Sequence, residues 1–184
     1  MRHKTIVSLA TALTLAPALA AQQPHGHGAP AAAHDEAHGI PRSLRVEHEE
    51  IHAQLEEATR APGAVGEAAR AVAKVLHPHF VREEQIALPP LGLLAPLARG
   101  EATPEMRAVL PLTDSLRAEM PRMLAEHRAI AAALERLHQV ATRAGRAKEA
   151  ALAEKIRVHA LSEEEVTYPA AMLVGDWVRA RTKS

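Results

Sequence analysis

The chain contains no cysteine among its 184 residues. Disulfide staples and thiolate metal sites are therefore excluded, and imidazole and carboxylate remain as the metal ligands on offer. Aromatic residues make up only 2%, with one Phe, one Tyr and one Trp. That is a poor supply for a sandwich or barrel, whereas the abundance of Ala, Leu, Arg and Glu suits closely packed helices, so an all-α fold is expected. An excess of either charge is also missing, since 22 Lys and Arg face 22 Asp and Glu. Without the basic surplus that a phosphate backbone demands, nucleic acid is not an expected partner. No Ser-His-Asp order, phosphate loop or cysteine nucleophile stands out, which leaves hydrolase and transferase chemistry without support.

The longest apolar run, TIVSLATALTLAPALA, follows a basic MRHK start and ends on the small-residue pattern Ala18-Leu19-Ala20. It is short for a membrane span and diluted by Thr and Ser, and has the form of a secretory signal peptide over residues 1–20. The mature protein is then expected to be exported, periplasmic or secreted, with no stable membrane insertion after cleavage. Residues 21–40 mix Gly, Pro and Ala with His25, His27, His34 and His38, and hold almost no large apolar side chain. Such a segment cannot bury a core and reads as a disordered, His-rich linker.

Helical periodicity occupies residues 41–179. A first helix is predicted from about 41 to 59, ended by Ala61-Pro62-Gly63, and a second from about 65 to 87, with Pro78 bending it just ahead of His79. A Pro-rich crossover follows at about 89–104. Helical pattern starts at Thr103-Pro104 and continues to about Thr142, interrupted at Pro111 and Pro121; its main part, 119–142, is taken as the third helix, closed by Gly145. The fourth is expected at 147–168, stopped or bent by Pro169, with a last turn at 171–179.

One stretch occurs twice. Residues 79–89 read HFVREEQIALP and residues 159–169 read HALSEEEVTYP, an offset of 80; VEHEEIHAQLEE around His48 and AEHRAIAAALER around His127 echo each other at an offset of 79. A constant offset marks a duplicated helix pair, and two pairs make a four-helix bundle with inward His and Glu. At 100° per residue, His79 and Glu83 differ by about 40° around the axis, so both face one way. His159 and Glu163 repeat that geometry, and His48 and His127 add one imidazole each. Buried without a cation, these six residues would leave several unpaired polar groups, each costing on the order of 1 to 3 kcal/mol. Imidazole with carboxylate suits iron, manganese or zinc, and two carboxylates able to bridge suit a pair of ions. Glu84 and Glu164 fall about 100° away, toward the rim. His52 sits one turn beyond His48 and is either a further ligand or a neighbour of the ligands; its repeat counterpart is Ala131. His77 and His138 have no counterparts and read as surface or bundle-end residues. Leu55, Leu76, Phe80, Ile130 and Leu134 are the expected apolar walls.

The order His48, His79-x-x-x-Glu83, His127, His159-x-x-x-Glu163 resembles the hemerythrin-like HHE cation-binding domain over about residues 41–175. The resemblance implies an antiparallel four-helix bundle around two iron ions, oxo- and carboxylate-bridged. It also implies binding or sensing of O2 or a related small oxidant such as peroxide or nitric oxide. Two other readings stay open. In one, the chain stores or relays iron, zinc or copper that the linker collects; in the other, the centre turns over peroxide or nitric oxide by reduction.

Overall fold

The computed structural model describes residues 39–182. The expected signal peptide and nearly all of the expected linker lie outside them. Among the described residues all regular structure is helical.

Helix α1 (Arg42–Thr59) starts directly after Pro41 and buries His48, Ile51, Leu55 and Ala58, one stripe at spacings of three and four. Helix α2 (Gly63–Ile86) buries Val72, Leu76, His79, Phe80, Glu83 and Ile86. It runs through Pro78, which is exposed, so the carbonyl left unpaired one turn back is on the solvated side. The crossover consists of a 3-10 turn (Pro89–Leu93), the short helix α3 (Leu94–Ala98) and a second 3-10 turn (Pro104–Val109).

Helix α4 (Leu110–Arg143) starts nine residues ahead of the expected main part at 119, because neither Pro111 nor Pro121 stops it. Pro111 occupies the first turn, where its missing N–H has no partner to lose. Pro121 lies inside the helix but on the exposed face, between the fully buried Leu116 and Met123. Burying such side chains contributes about 1.5–3 kcal/mol each, enough together to offset the roughly 3 kcal/mol that an interior proline costs. Gly145, at φ 67°, closes the helix in the left-handed conformation open to glycine.

The last helix was expected to stop or bend at Pro169, and instead it continues. Helix α5 (Ala147–Ser162) passes into a π turn (Glu163–Thr167) and then into helix α6 (Tyr168–Arg181). In the π turn the Tyr168 N–H donates to the Glu163 carbonyl, five residues back. The wider turn absorbs one extra residue, and Pro169 falls in the first turn of α6. Midway along its length α6 lies so close to α4 that a Cβ on Gly175 would stand 2.3 Å from Thr113 Oγ1.

Cross-helix pairs fix the arrangement. His48 meets Glu84 between α1 and α2, Arg82 meets Glu119 between α2 and α4, Arg117 meets Asp176 between α4 and α6, and Lys155 meets Glu50 between α5 and α1. Each helix thus runs antiparallel to its neighbours in a ring of four. One apolar cluster, including Ile51, Val72, Phe80, Ile130 and Ile156, fills the end near the α1–α2 turn. A second, including Ile86, Leu88, Leu116, Met123 and Tyr168, fills the other. The His and Glu positions fall where these two clusters meet; on α2 they bracket Phe80, the last member of the first cluster on that helix.

Candidate metal centre

Each of the four helices delivers polar side chains to this middle layer. His48, His79, His127, His159, Glu83 and Glu163 are all buried, with Glu83 fully enclosed. The helical stripe explains the placement, since each residue continues the apolar face of its helix at a spacing of three or four.

All four imidazoles point Nε2 inward at the two carboxylates. His79 Nε2 is 3.4 Å from Glu83 Oε1, and His48 Nε2 is 3.9 Å from Glu83 Oε2. His159 Nε2 is 2.9 Å and His48 Nε2 3.7 Å from Glu163 Oε1, while His127 Nε2 is 3.4 Å from Glu163 Oε2. The six residues form two groups, His48, Glu83, His159 and Glu163, and His79, Glu83, His127 and Glu163. Within each group one ligand atom per residue lies within 4.8 Å of the others. Both carboxylates belong to both groups.

On their outer sides the rings meet a second set of carboxylates. His48 Nδ1 is 3.1 Å from Glu84, His79 Nδ1 is 2.9 Å from Glu126, and His127 Nδ1 is 2.8 Å from Glu164. His159 Nδ1 stands 3.3 Å from Glu47 Oε1 but off hydrogen-bonding alignment. Each outer Glu is adjacent in sequence to a member of the inner set and reaches the histidine of a neighbouring helix. A carboxylate on Nδ1 fixes the tautomer in which Nδ1 carries the proton and Nε2 offers its lone pair inward.

Glu84 and Glu164 lie at the rim, as their 100° offset from Glu83 and Glu163 predicts, whereas Glu47 and Glu126 are unexpected members of the outer set. The signal was available, because the pair Glu-His recurs at 47–48 and 126–127. Tyr168 is unexpected too. Its hydroxyl donates to Glu83 Oε1 and lies 3.1 Å from His127 Nε2 and 3.5 Å from His79 Nε2, inside the second group. Nothing in an α-helical period points to it, since five residues past Glu163 is 140° off that face. The π turn brings it back. His52 is half-buried and belongs to neither group; its ring meets Phe80 edge-on at 5.1 Å and His77 at 5.5 Å. Phe80 stacks on His48 with ring centroids 3.9 Å apart. Leu55, Leu76, Ile130 and Leu134 are buried in the same cluster as Phe80.

The electrostatics of the layer call for positive charge. Burial pulls the His48, His79 and His159 pKa values down, but the carboxylates around them outweigh it and all three are raised, His79 to about 9. Burial, and then repulsion from Glu163, push the Glu83 carboxyl up. Burial acts the same way on Glu163, yet the imidazoles of His127, His159 and His48, with their Nε2 atoms 3.4, 2.9 and 3.7 Å from its oxygens, hold it well below the ordinary range. Burial first, and the Glu83 and Glu163 charges second, push the Tyr168 hydroxyl up, so it keeps its proton. Six buried atoms nonetheless have no hydrogen-bond partner among the described residues: His48 Nε2, Glu83 Oε2, both ring nitrogens of His159 and both oxygens of Glu163. Unpaired polar atoms at this density are rare in protein interiors, and five of these six converge on the same space. The nitrogen and oxygen donor set fits a pair of cations sharing two carboxylates.

The family model of the hemerythrin HHE cation binding domain matches residues 39–171. No curated protein and no solved structure matches the chain. The match reaches all four bundle helices and includes the six converging residues, and the chain belongs to the hemerythrin HHE cation-binding family.

Proposed function

We propose that this chain is an exported protein, built from a duplicated helix pair, that holds two iron ions and binds or senses O2 or a related small oxidant. The observation that carries the reading is the sharing of Glu83 and Glu163 between two groups that each add two imidazoles. His48 and His159 would hold one ion and His79 and His127 the other, with both carboxylates spanning the pair. When bound, the iron pair supplies the electrons that an oxidant such as O2, peroxide or nitric oxide takes up. The protein's part is to position and to shield. Glu84, Glu126 and Glu164 hold the Nδ1 protons of three rings, with Glu47 set beside the fourth. The apolar clusters on both sides keep water from the layer. Tyr168 keeps a proton at Glu83 Oε1, within reach of His79 and His127.

The test is elemental analysis of the iron-loaded protein together with its absorption spectrum with and without air. Two irons per chain and an oxygen-dependent band are the expected result. Two irons with no response to air would leave a metal-binding protein without the oxidant chemistry, and no bound metal would overturn the reading as a whole.

A further inference from the structure

The two halves of the centre are framed alike but closed differently. On the α1–α2 side the face of His48 is sealed: Phe80 stacks on it, His52 closes edge-on against Phe80, and His77 against His52. At the repeat offsets of 79 and 80, Phe80 corresponds to Ala160, His52 to Ala131 and His77 to Arg157. The surrounding frame is kept, since Leu55, Val81 and Glu84 correspond to Leu134, Leu161 and Glu164. Where the first half has its plug, the second has a groove of about 160 Å³ between α4 and α5, floored by His127, Ala131, Leu134, Ala160 and Leu161 with Arg157 and Glu164 at its rim. That is well above the roughly 10–15 Å³ that one water-sized molecule requires. A single ring separates the groove from the carboxylate layer, for His127 lines it while its Nε2 lies 3.4 Å from Glu163 Oε2.

We infer that this groove is the port through which a small uncharged molecule reaches the centre, on the side of His79 and His127, while Phe80 and His52 bar the equivalent path to His48. The inference rests on the reading of the centre as a binder of small oxidants. The lining selects for lack of charge. Leu134, Leu161 and the two alanines offer an ion nothing in exchange for its hydration, and the polar groups at the rim are engaged, Glu164 by His127 and Arg157 by Glu154. Truncation of two plug residues on one side alone directs the ligand to one ion of the pair.

The test uses the full chain with labelled Ala and Leu methyl groups, prepared without iron, under dissolved O2 as a paramagnetic probe. The methyl signals of Ala131, Ala160 and Leu134 should broaden several-fold more than those of Leu55. Ala160→Phe, and separately Ala131→His with Ala160→Phe, which copy the first half's plug, should reduce the broadening at Leu134 to the Leu55 level. Phe80→Ala should raise it at Leu55. In iron-loaded protein, stopped-flow mixing with O2 should run several-fold slower for Ala160→Phe and faster for Phe80→Ala, at unchanged iron content. Equal broadening on both sides of the wild-type bundle would overturn the port, as would an unchanged rate in a plugged variant with native helicity. Should no variant show an O2-dependent spectrum, the oxidant reading fails while the methyl pattern still decides where small molecules enter.

Discussion

The outer carboxylates decide how the imidazoles present themselves. Glu126 bonds His79 Nδ1 and is itself held by Arg122, and burial notwithstanding these partners keep its carboxyl below the ordinary range. Glu126→Gln keeps the shape but removes the charge behind the ring. Metal affinity measured by competition with a chelator should fall, by the roughly 10- to 100-fold typical of partners that orient a metal-binding histidine. The same change at Glu165, which is exposed and beside no ring, should leave it unaffected. Protonation gives a second prediction. The His79 pKa rises from 6.5 to about 9 in the folded, metal-free chain, so protonated His79 stabilises that form fully below about pH 6.5, and the contribution is lost as pH climbs through about 9. Metal binding requires the ring deprotonated and works in the opposite sense. The Tm of chelator-treated protein should therefore drop between pH 6.5 and 9, and the gap to the metal-loaded Tm should widen over that interval. Parallel curves would rule out proton and metal competing for this ring.

At the scale of elements, the π turn is the device that completes the layer. An α-helix through Glu163–Thr167 would leave Tyr168 140° from Glu163. Deleting the exposed Val166 converts the five-residue spacing to four, which an ordinary α-helix turns inward, so the shortened chain should fold with unchanged metal content. Inserting an alanine at the same place should turn Tyr168 and the apolar face of α6 away and lower the Tm sharply. If deletion and insertion are equally harmful, the π turn is needed for something other than register. These elements also show what was legible beforehand. His79 and Glu83, with His159 and Glu163, stood out because four-residue spacing on a helix has one geometric meaning and the pattern occurs twice. The start of α4 did not, because a proline on a solvated face loses little that packing of Leu116 and Met123 cannot offset. Tyr168 was hidden for a different reason: a π turn changes the period itself, and a reading made at 100° per residue then points the side chain the wrong way.

For the whole molecule, the polar layer is both the weakest and the most cooperative part of the bundle. Two apolar clusters are separated by buried groups, six of whose atoms lack partners among the described residues, and a bound cation would link all four helices at that level. Removal of metal by a chelator should lower the Tm. A metal at a thousand times its dissociation constant adds about 4 kcal/mol to the folded state. His79→Ala or His159→Ala should lose metal and the metal-dependent part of the Tm together, while chelation should have little further effect on either variant. The bundle's helical class was legible from composition and periodicity, because neither requires knowing which helix touches which. The pairing of each outer Glu with a ring on another helix was not, since it depends on the ring order of the helices.

The scarcity of aromatic side chains has one more consequence. The chain's one tyrosine is hydrogen-bonded within the proposed centre and its one phenylalanine is stacked on His48, whereas Trp177 lies on α6 away from both. In a Trp177→Phe variant, near-ultraviolet circular dichroism in the tyrosine band would therefore come from a single phenol seated among the proposed ligands. Titration with a spectroscopically silent ion such as zinc becomes visible without any label, through the ring that the site itself supplies.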